Sequence, residues 1–244
     1  MDNVCIIIPV YNHSATVGAV IEGVLSYGMK VFVINDGSTD HLQEVLQVFE
    51  NKIAVISYPK NKGKGYALQC GFGAARKAGY DYSITLDADG QHHFGDISLL
   101  LKAIEQYPRS LIIGSRTLNH ENMPAKNTFA NRFSNFWFTV QTGKRLPDTQ
   151  TGFRVYPLCK MKNIKIFSSR YEAELELLVR LVWRGVNTVP VKINVFYPPQ
   201  NERISHFRPA LDFLRISVLN TIFTIMALVY GYPRMLIGKL MNNE

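Results

Sequence analysis

A chain of 244 residues, 47% of them hydrophobic, can bury one sizeable core, or one core and an appendage. Its formal charge of +8 is uneven: residues 1–101 carry 7 basic and 10 acidic side chains, 102–170 carry 12 and 3, and 171–244 carry 8 and 6. A basic middle third suits nucleic acid, an anionic lipid surface or a phosphorylated substrate; without a helix-turn-helix, zinc-finger or RNA-recognition signature, nucleic acid ranks last. Cys5, Cys70 and Cys159 are scattered and form no Cys-x-x-Cys pair, the pattern of reduced cytosolic thiols acting as small apolar side chains. Met1-Asp2-Asn3 is acidic and leads into a short apolar run, unlike a signal peptide, so the first strand is expected to begin there.

In chain order, residues 4–9 form an apolar strand and 14–26 have helical spacing, with Asn12 or Ser14 available as N-cap. Residues 30–35 are a second strand, and Ser38, Thr39 or Asp40 could cap a helix over 41–50. A strand at 53–58, a helix at 65–78 and a strand at 82–86 follow. Ile/Val runs alternating with helices predict an α/β fold: a mostly parallel sheet covered on both faces. Ligands of such sheets bind outside the C-terminal strand ends. There the chain places Tyr11-Asn12, Asp36, Lys60–Gly63 and Asp87-Ala88-Asp89, on one rim. Asp87 and Asp89, one residue apart at a strand end, point to the same side, where one could reach a sugar hydroxyl and the other a hard divalent cation. A solvated Asp-x-Asp-Gly turn is the alternative. No complete Gly-x-Gly-x-x-Gly follows the first strand and no phosphate loop is present, so Gly63, Gly65, Gly71 and Gly73 are read as tight turns and close helix packing. His92 is expected on the rim.

Pro9-Val10-Tyr11-Asn12, Asn35-Asp36-Gly37-Ser38-Thr39-Asp40, Asn61-Lys62-Gly63-Lys64-Gly65 and Asp87-Ala88-Asp89-Gly90-Gln91 together resemble, in order and spacing, the nucleotide-sugar half of family 2 glycosyltransferases. Within that family the chain is most similar to polyprenyl-phosphate (dolichyl-phosphate) mannosyl- and glucosyltransferases, as far as about Arg208. The resemblance implies a GT-A (Rossmann-like) fold and a GDP- or UDP-linked sugar donor. It implies that Asp36 holds the base or ribose, that the backbone from Pro9 through Tyr11 to Asn12 borders the base, and that Lys62, Gly63, Asp87 and Asp89 face the nucleotide sugar. It further implies a divalent cation, Mg2+ or Mn2+, at Asp89 and Gln91. His13 stands where the relatives usually carry Glu, leaving that position open.

A helix at 96–106 and a strand at 110–113 lead to Gly114-Ser115-Arg116, similar to the family's Gly-Ser-Arg. Asn131, Arg132 and Asn135 sit on a helix rich in Phe and Trp whose aromatic face is read first as buried. Lys126, Lys144 and Lys162 are read as solvated charges, whereas the resemblance places Arg116 and Arg132 at the phosphate-bearing centre, where guanidinium groups suit oxyanions. Thr151-Gly152-Phe153-Arg154 resembles the Ser-Gly-Phe-Arg of polyprenyl-phosphate transferases and lacks a carboxylate. A phosphate acceptor is already anionic near neutral pH, with a second pKa near ~6, and needs no base; a hydroxyl acceptor does. Asp148 could serve as that base if its loop folds inward.

Arg170-Tyr171-Glu172-Ala173-Glu174-Leu175-Glu176 opens a helix with acids in its first turn, favourable against the helix dipole, and Gly185 closes it. Residues 186–195 are read as a strand. The 201–208 loop, with Arg203, is either a mobile cover for the diphosphate, as the resemblance implies, or a linker. Pro209 starts a helix over 210–230, whose uncharged core at 216–230 is 15 residues, shorter than the ~17–25 of a membrane span. Leu211, Leu214, Val218, Ile222, Ile225 and Val229 form one stripe, expected to lie on a membrane or pair with another copy in a homo-oligomer. Gly231-Tyr232-Pro233 is expected to break this helix. The whole reads as a catalytic unit over 1–208 and an amphipathic appendage over 209–244. It would act at the cytoplasmic face of a membrane, moving a hexose with inversion to a lipid-linked phosphate. Transfer to a hydroxyl, or nucleotide binding without turnover, are the alternatives.

Overall fold

The computed structural model describes residues 3–116, 125–164, 166–170, 172–196 and 209–241. Seven strands, β1 (Val4–Val10), β2 (Lys30–Asn35), β3 (Ile53–Ser57), β4 (Tyr82–Thr85), β5 (Leu111–Ser115), β6 (Arg154–Pro157) and β7 (Thr188–Lys192), form one sheet in the order β3-β2-β1-β4-β6-β5-β7. All neighbours are parallel except β6, which runs antiparallel to both β4 and β5. Successive residues of β1 serve opposite cores: Cys5 and Ile7 face one cluster with Leu68, Phe72 and Leu178, and Ile6 and Ile8 face the other with Val17, Ile21 and Leu100. This double burial is why the central strands read as unbroken apolar runs.

The helices are α1 (Ser14–Leu25), α2 (Leu42–Gln47), α3 (Lys64–Lys77), α4 (Ile97–Gln106), α5 (Ala125–Thr142), α6 (Glu172–Trp183), α7 (Pro209–Met226) and α8 (Tyr232–Met241). Helix α1 buries Val17, Val20, Ile21 and Val24, one face at helical spacing. Neither Asn12 nor Ser14 caps it. Asp40 does so from the next loop, with Oδ2 accepting the Ser14 N–H at 2.9 Å while Oδ1 accepts that of Leu42 at 3.3 Å. One carboxylate thus steadies the starts of α1 and α2.

Three expectations are corrected. Strand β6 went unread, because four residues opening with Arg and closing with Pro carry no strand pattern of their own. The 186–195 strand shortens to β7, after which Val195 bridges to His92. Gly231-Tyr232-Pro233 does not end the C-terminal helix: a π turn, Ala227–Gly231, carries α7 directly into α8. A wider turn tolerates the missing Pro233 N–H. It also lays Gly231 on the Trp183 indole, where any Cβ would clash. The uncharged run therefore continues to Pro233, and Leu214–Leu240, 27 residues, is long and apolar enough to cross a membrane by length and composition.

One face of this helix is fastened to the domain. Phe223 stacks on Trp183 at 5.4 Å, Gln141 Nε2 donates to Asn220 Oδ1 at 3.1 Å, and Tyr232 donates to the Val140 carbonyl at 2.5 Å. Leu214, Val218, Ile222, Ile225 and Val229 of the expected stripe are exposed on the other face, joined by Leu236, Ile237 and Leu240.

Candidate active site

Three loops interlock at the ends of β1, β2 and β3. Asn12, at a positive φ of 54°, donates its N–H to Ser38 Oγ at 3.1 Å, and its Oδ1 accepts the Thr39 N–H at 2.8 Å. Asp36 is buried and accepts the N–H groups of Lys62 at 2.7 Å and Gly63 at 2.9 Å, with Asn61 Nδ2 at 3.0 Å. Its carboxylate thereby shapes the 61–63 turn. Gly63, at φ 96°, passes so close to the Ser169 carbonyl that no side chain fits. Pro9 and Tyr11 lie half-buried beside this loop cluster.

Past β4, Asp87 and Asp89 sit in unlike surroundings. Lys64, the first residue of α3, reaches Asp87 Oδ1 at 2.6 Å and Glu174 Oε2 at 2.8 Å. Burial alone would raise the Asp87 pKa, but Lys64 and then His92, 3.9 Å away, hold it well below the usual range. The same two carboxylates outweigh burial of the Lys64 ammonium and push its pKa up. Asp89 is pushed up, first by burial and then by the charge of Asp87, with one backbone donor, Gln91 N–H at 3.0 Å. Among the described residues no cation pairs with Asp89. Nor do three or more His, Cys, Asp or Glu converge as a complete metal cage. A carboxylate destabilised in this way suits a divalent cation that takes one or two protein oxygens and completes its shell with substrate phosphates. The residues present fit such an ion.

Past β5, Arg116 meets Asp148. The loop has folded inward, Asp148 is fully buried, and it accepts from Arg116 Nε at 2.6 Å, Nη2 at 3.0 Å and backbone N–H at 3.2 Å. Asn131 Nδ2 at 2.6 Å and the Gln150 N–H at 3.0 Å complete its shell. Burial would raise the pKa of Asp148, but Arg116 holds it down. Asn135, one turn along α5, donates to the Pro147 carbonyl at 2.8 Å and accepts the Thr149 N–H at 3.0 Å.

The segment leaving Asp148 runs to the other carboxylates. Gly152 packs against Asp87 so closely that a Cβ would overlap its oxygens, and Thr85 Oγ1 donates to the Gly152 carbonyl at 2.6 Å. Four residues span at most ~14 Å, so the Arg116 and Asp87 centres are neighbours. Arg154, fully buried in β6, donates to the carbonyls of Glu174 at 2.9 Å and Thr149 at 2.8 Å, tying the two centres to α6.

The sequence-derived residues divide accordingly. Asp87, Asp89, Gln91 and Asp36 stand on the rim, with Gln91 meeting Asp89 through its backbone. Lys62 turns outward, its ammonium 4.4 Å over the Tyr66 ring, while Lys64 enters the site. Arg132 is exposed, one position round α5 from buried Asn131, outside the Asp148 cluster. His92 is buried behind Asp87, its Nε2 3.9 Å from Asp87 Oδ2 and its ring 5.1 Å from that of Phe153. Cys159 is exposed, unlike buried Cys5, whose thiol burial pushes up to about 12. Arg203 and the rest of the 201–208 loop lie outside the described residues. Lys64, Glu174 and Asn131 were missed as site groups; only the acids opening α6 and the second Lys of Lys-Gly-Lys-Gly hinted at the first two.

A doubly covered sheet with paired carboxylates at the end of β4 and an arginine beyond β5 is the architecture of a GT-A glycosyltransferase. The chain belongs to glycosyl transferase family 2, whose sequence model matches residues 5–163. It is 26% identical over 213 residues to UDP-N-acetylglucosamine--dolichyl-phosphate N-acetylglucosaminyltransferase of Methanococcus voltae, covering 79% of this chain and 85% of that one. It is also 26% identical over 241 residues to a dolichyl-phosphate beta-glucosyltransferase of Trichomonas vaginalis, covering 88% and 73%. In three dimensions it resembles glucosyl-3-phosphoglycerate synthase of Mycobacterium tuberculosis, solved with Mn2+, UDP-glucose and phosphoglyceric acid. The TM-score is 0.65 over 93% of this chain and 79% of that chain, at 16% identity. That likeness establishes the GT-A fold.

Proposed function

We propose that this glycosyltransferase moves a hexose from a GDP- or UDP-linked donor to a lipid-linked polyprenyl phosphate at the cytoplasmic face of a membrane, inverting the anomeric centre. The observation that carries the reading is the state of Asp148. With five donors on its two oxygens and its pKa held down, it is a positioning group for Arg116 and is no longer available as a base. Asp87 is likewise committed to Lys64. With Asp148 and Asp87 so engaged, the described residues favour an acceptor that is already an oxyanion. Two relatives named for dolichyl phosphate support the same acceptor class.

In this reading Asp36 shapes the nucleotide-facing turn, and the Pro9–Asn12 and Lys62–Gly63 backbones border the nucleotide. A phosphate oxygen of the acceptor attacks the anomeric carbon, the bond to the donor diphosphate breaks, and its electron pair leaves with the diphosphate; no proton moves. A divalent cation, Mg2+ or Mn2+, at Asp89 and Gln91 would supply charge neutralisation on that leaving group. Arg116, held by Asp148, positions the acceptor phosphate, Arg132 lies on its exposed approach, and Arg203 belongs to the loop that closes over the donor. Residues 1–208 make up the catalytic unit, and 209–244 address the membrane through the exposed apolar face. Peripheral docking suits this helix better than spanning, because Phe223, Asn220 and Tyr232 fasten it to α5 and α6. The test offers labelled nucleotide sugars with a polyprenyl phosphate or with the corresponding polyprenol. Product from the phosphate alone is expected; equal glycosylation of the alcohol would overturn the acceptor assignment.

A further inference from the structure

A second site lies at the far end of α6. Ten residues, or about 15 Å of helix, separate Arg184 from Glu174 at the active site. There a cavity of about 230 Å³ opens between the end of α6, the side chains of Asn163, Ile164 and Phe167, and Tyr230 of the π turn. Phe167, Trp183 and Tyr230 form its aromatic walls, and Arg180 and Arg184 line it. The Arg180 guanidinium lies 4.8 Å from the Phe167 ring and 5.2 Å from that of Phe223. Its Nε donates to Glu176 at 2.7 Å, while its Nη2 is buried without a partner among the described residues. Arg184 donates from Nη1 to the Lys162 carbonyl at 2.7 Å and from Nη2 to that of Asn163 at 2.8 Å, and it forms no ion pair with a described carboxylate. Arg234 sits 5.7 Å over the Tyr230 ring. Burial and then the charges of Arg234 and Arg180 depress the Arg184 pKa, the mark of crowded cations. Of these three guanidinium groups only Arg180 pairs with a described carboxylate, Glu176, whose oxygens also accept the N–H groups of Phe167 at 3.0 Å and Ser168 at 2.8 Å.

We propose that this cavity binds the phosphate group of an anionic lipid headgroup. The proposal rests on the membrane reading of α7 and α8 given above. Two observations select a lipid: a buried guanidinium nitrogen of Arg180 without a partner among the described residues, in a cluster of three arginines with one described carboxylate, and the apolar surface beside it. Leu228 and Val229 adjoin Tyr230, Leu236 and Ile237 follow Arg234, and all four are exposed. With that face in the acyl boundary, Tyr230 and the arginines lie at headgroup level, where Tyr and Arg side chains are favoured. Guanidinium groups are well matched to phosphate oxygens. The headgroup would thus fix how the enzyme is turned on the membrane.

The test uses the full chain and co-sedimentation with phosphatidylcholine vesicles, with and without phosphatidylglycerol. Phosphatidylglycerol should strengthen binding. Arg234→Gln should weaken that increment about fivefold, the effect of one basic side chain near an anionic surface, and Arg184→Gln with Arg234→Gln should remove it. Binding to neutral vesicles should persist in both variants, and Lys239→Gln on the same helix should weaken the increment less than Arg234→Gln does. An increment unchanged in Arg234→Gln, or lost equally in Lys239→Gln, overturns the site. Equal binding to neutral and anionic vesicles overturns it while leaving the membrane reading intact; no binding to either removes both. Should inorganic phosphate raise the Tm of the wild type and not of Arg234→Gln while vesicles show no increment, the ligand is free phosphate and the lipid assignment falls.

Discussion

Lys64 and Asp87 meet at 2.6 Å, and Glu174 holds the other side of the same ammonium at 2.8 Å. One of the two carboxylates beyond β4 is thereby held ionised by the protein itself, whereas the other, Asp89, has no cation partner among the described residues.

Removing Lys64 leaves partly buried Asp87 and buried Glu174 without their shared counter-charge. Lys64→Gln is expected to cost roughly 3–5 kcal/mol at pH 7, as for a broken buried pair. The Asp87 pKa is depressed on folding, so its share of stability is present above the unfolded pKa of about 3.9 and is lost as pH falls through the folded value. The Lys64 pKa is raised, so its share is present below about 10.4 and lost above the folded value. Urea midpoints of wild type and variant should differ across that window and converge in acid; a gap that persists in acid would show a packing defect.

Asp89 works in the opposite sense. Its pKa is raised, so its ionised form costs stability above the unfolded value of about 3.9 and costs nothing in acid. Without metal, Asp89→Asn should raise the Tm at pH 7 and leave it unchanged near pH 3. The same variant should abolish Mn2+-dependent binding of nucleoside diphosphate, measured by calorimetry with and without chelator. Unchanged binding in both conditions would remove the cation from Asp89.

Asp148→Asn separates a base from a positioning group. Loss of a base would erase one limb of the pH–rate profile. Loss of positioning leaves the profile's shape and lowers kcat/KM, with about 3–5 kcal/mol of stability lost as the largely buried Arg116–Asp148 pair is broken. The second outcome is expected, with stability loss greatest above pH 5 because the Asp148 pKa is depressed.

Ile222→Glu with Ile225→Glu should abolish vesicle binding and retain nucleotide binding, since both side chains are exposed. Each lost apolar anchor is worth roughly 1.5–3 kcal/mol when fully immersed. Vesicle binding that survives both changes would move the membrane contact elsewhere.

The rim was legible because its groups end apolar runs: Asp36 after β2 and Asp87 after β4 are fixed by strand direction alone. Lys64 was not distinguished from Lys62, since the choice depends on Gly63, whose φ of 96° precedes Lys64 as the first helical residue, where its ammonium reaches Asp87 and Glu174. Arg154 and β6 were hidden for another reason. The strand enters between β4 and β5 out of chain order, and its buried charge is answered by the Glu174 carbonyl, 20 residues away. The continuation past Pro233 depended on a π turn fitted to Trp183, a tertiary contact absent from any local pattern.

The mutual hydrogen bonds of Asn12, Ser38 and Thr39, with Asp36 across the 61–63 turn, set that backbone before any nucleotide arrives. The conformational entropy of these loops is lost during folding, and little remains to be lost on docking. These three loops should therefore add no ordering phase to donor association, so any plateau in its observed rate arises elsewhere than at Asn12, Asp36–Thr39 and Asn61–Gly63.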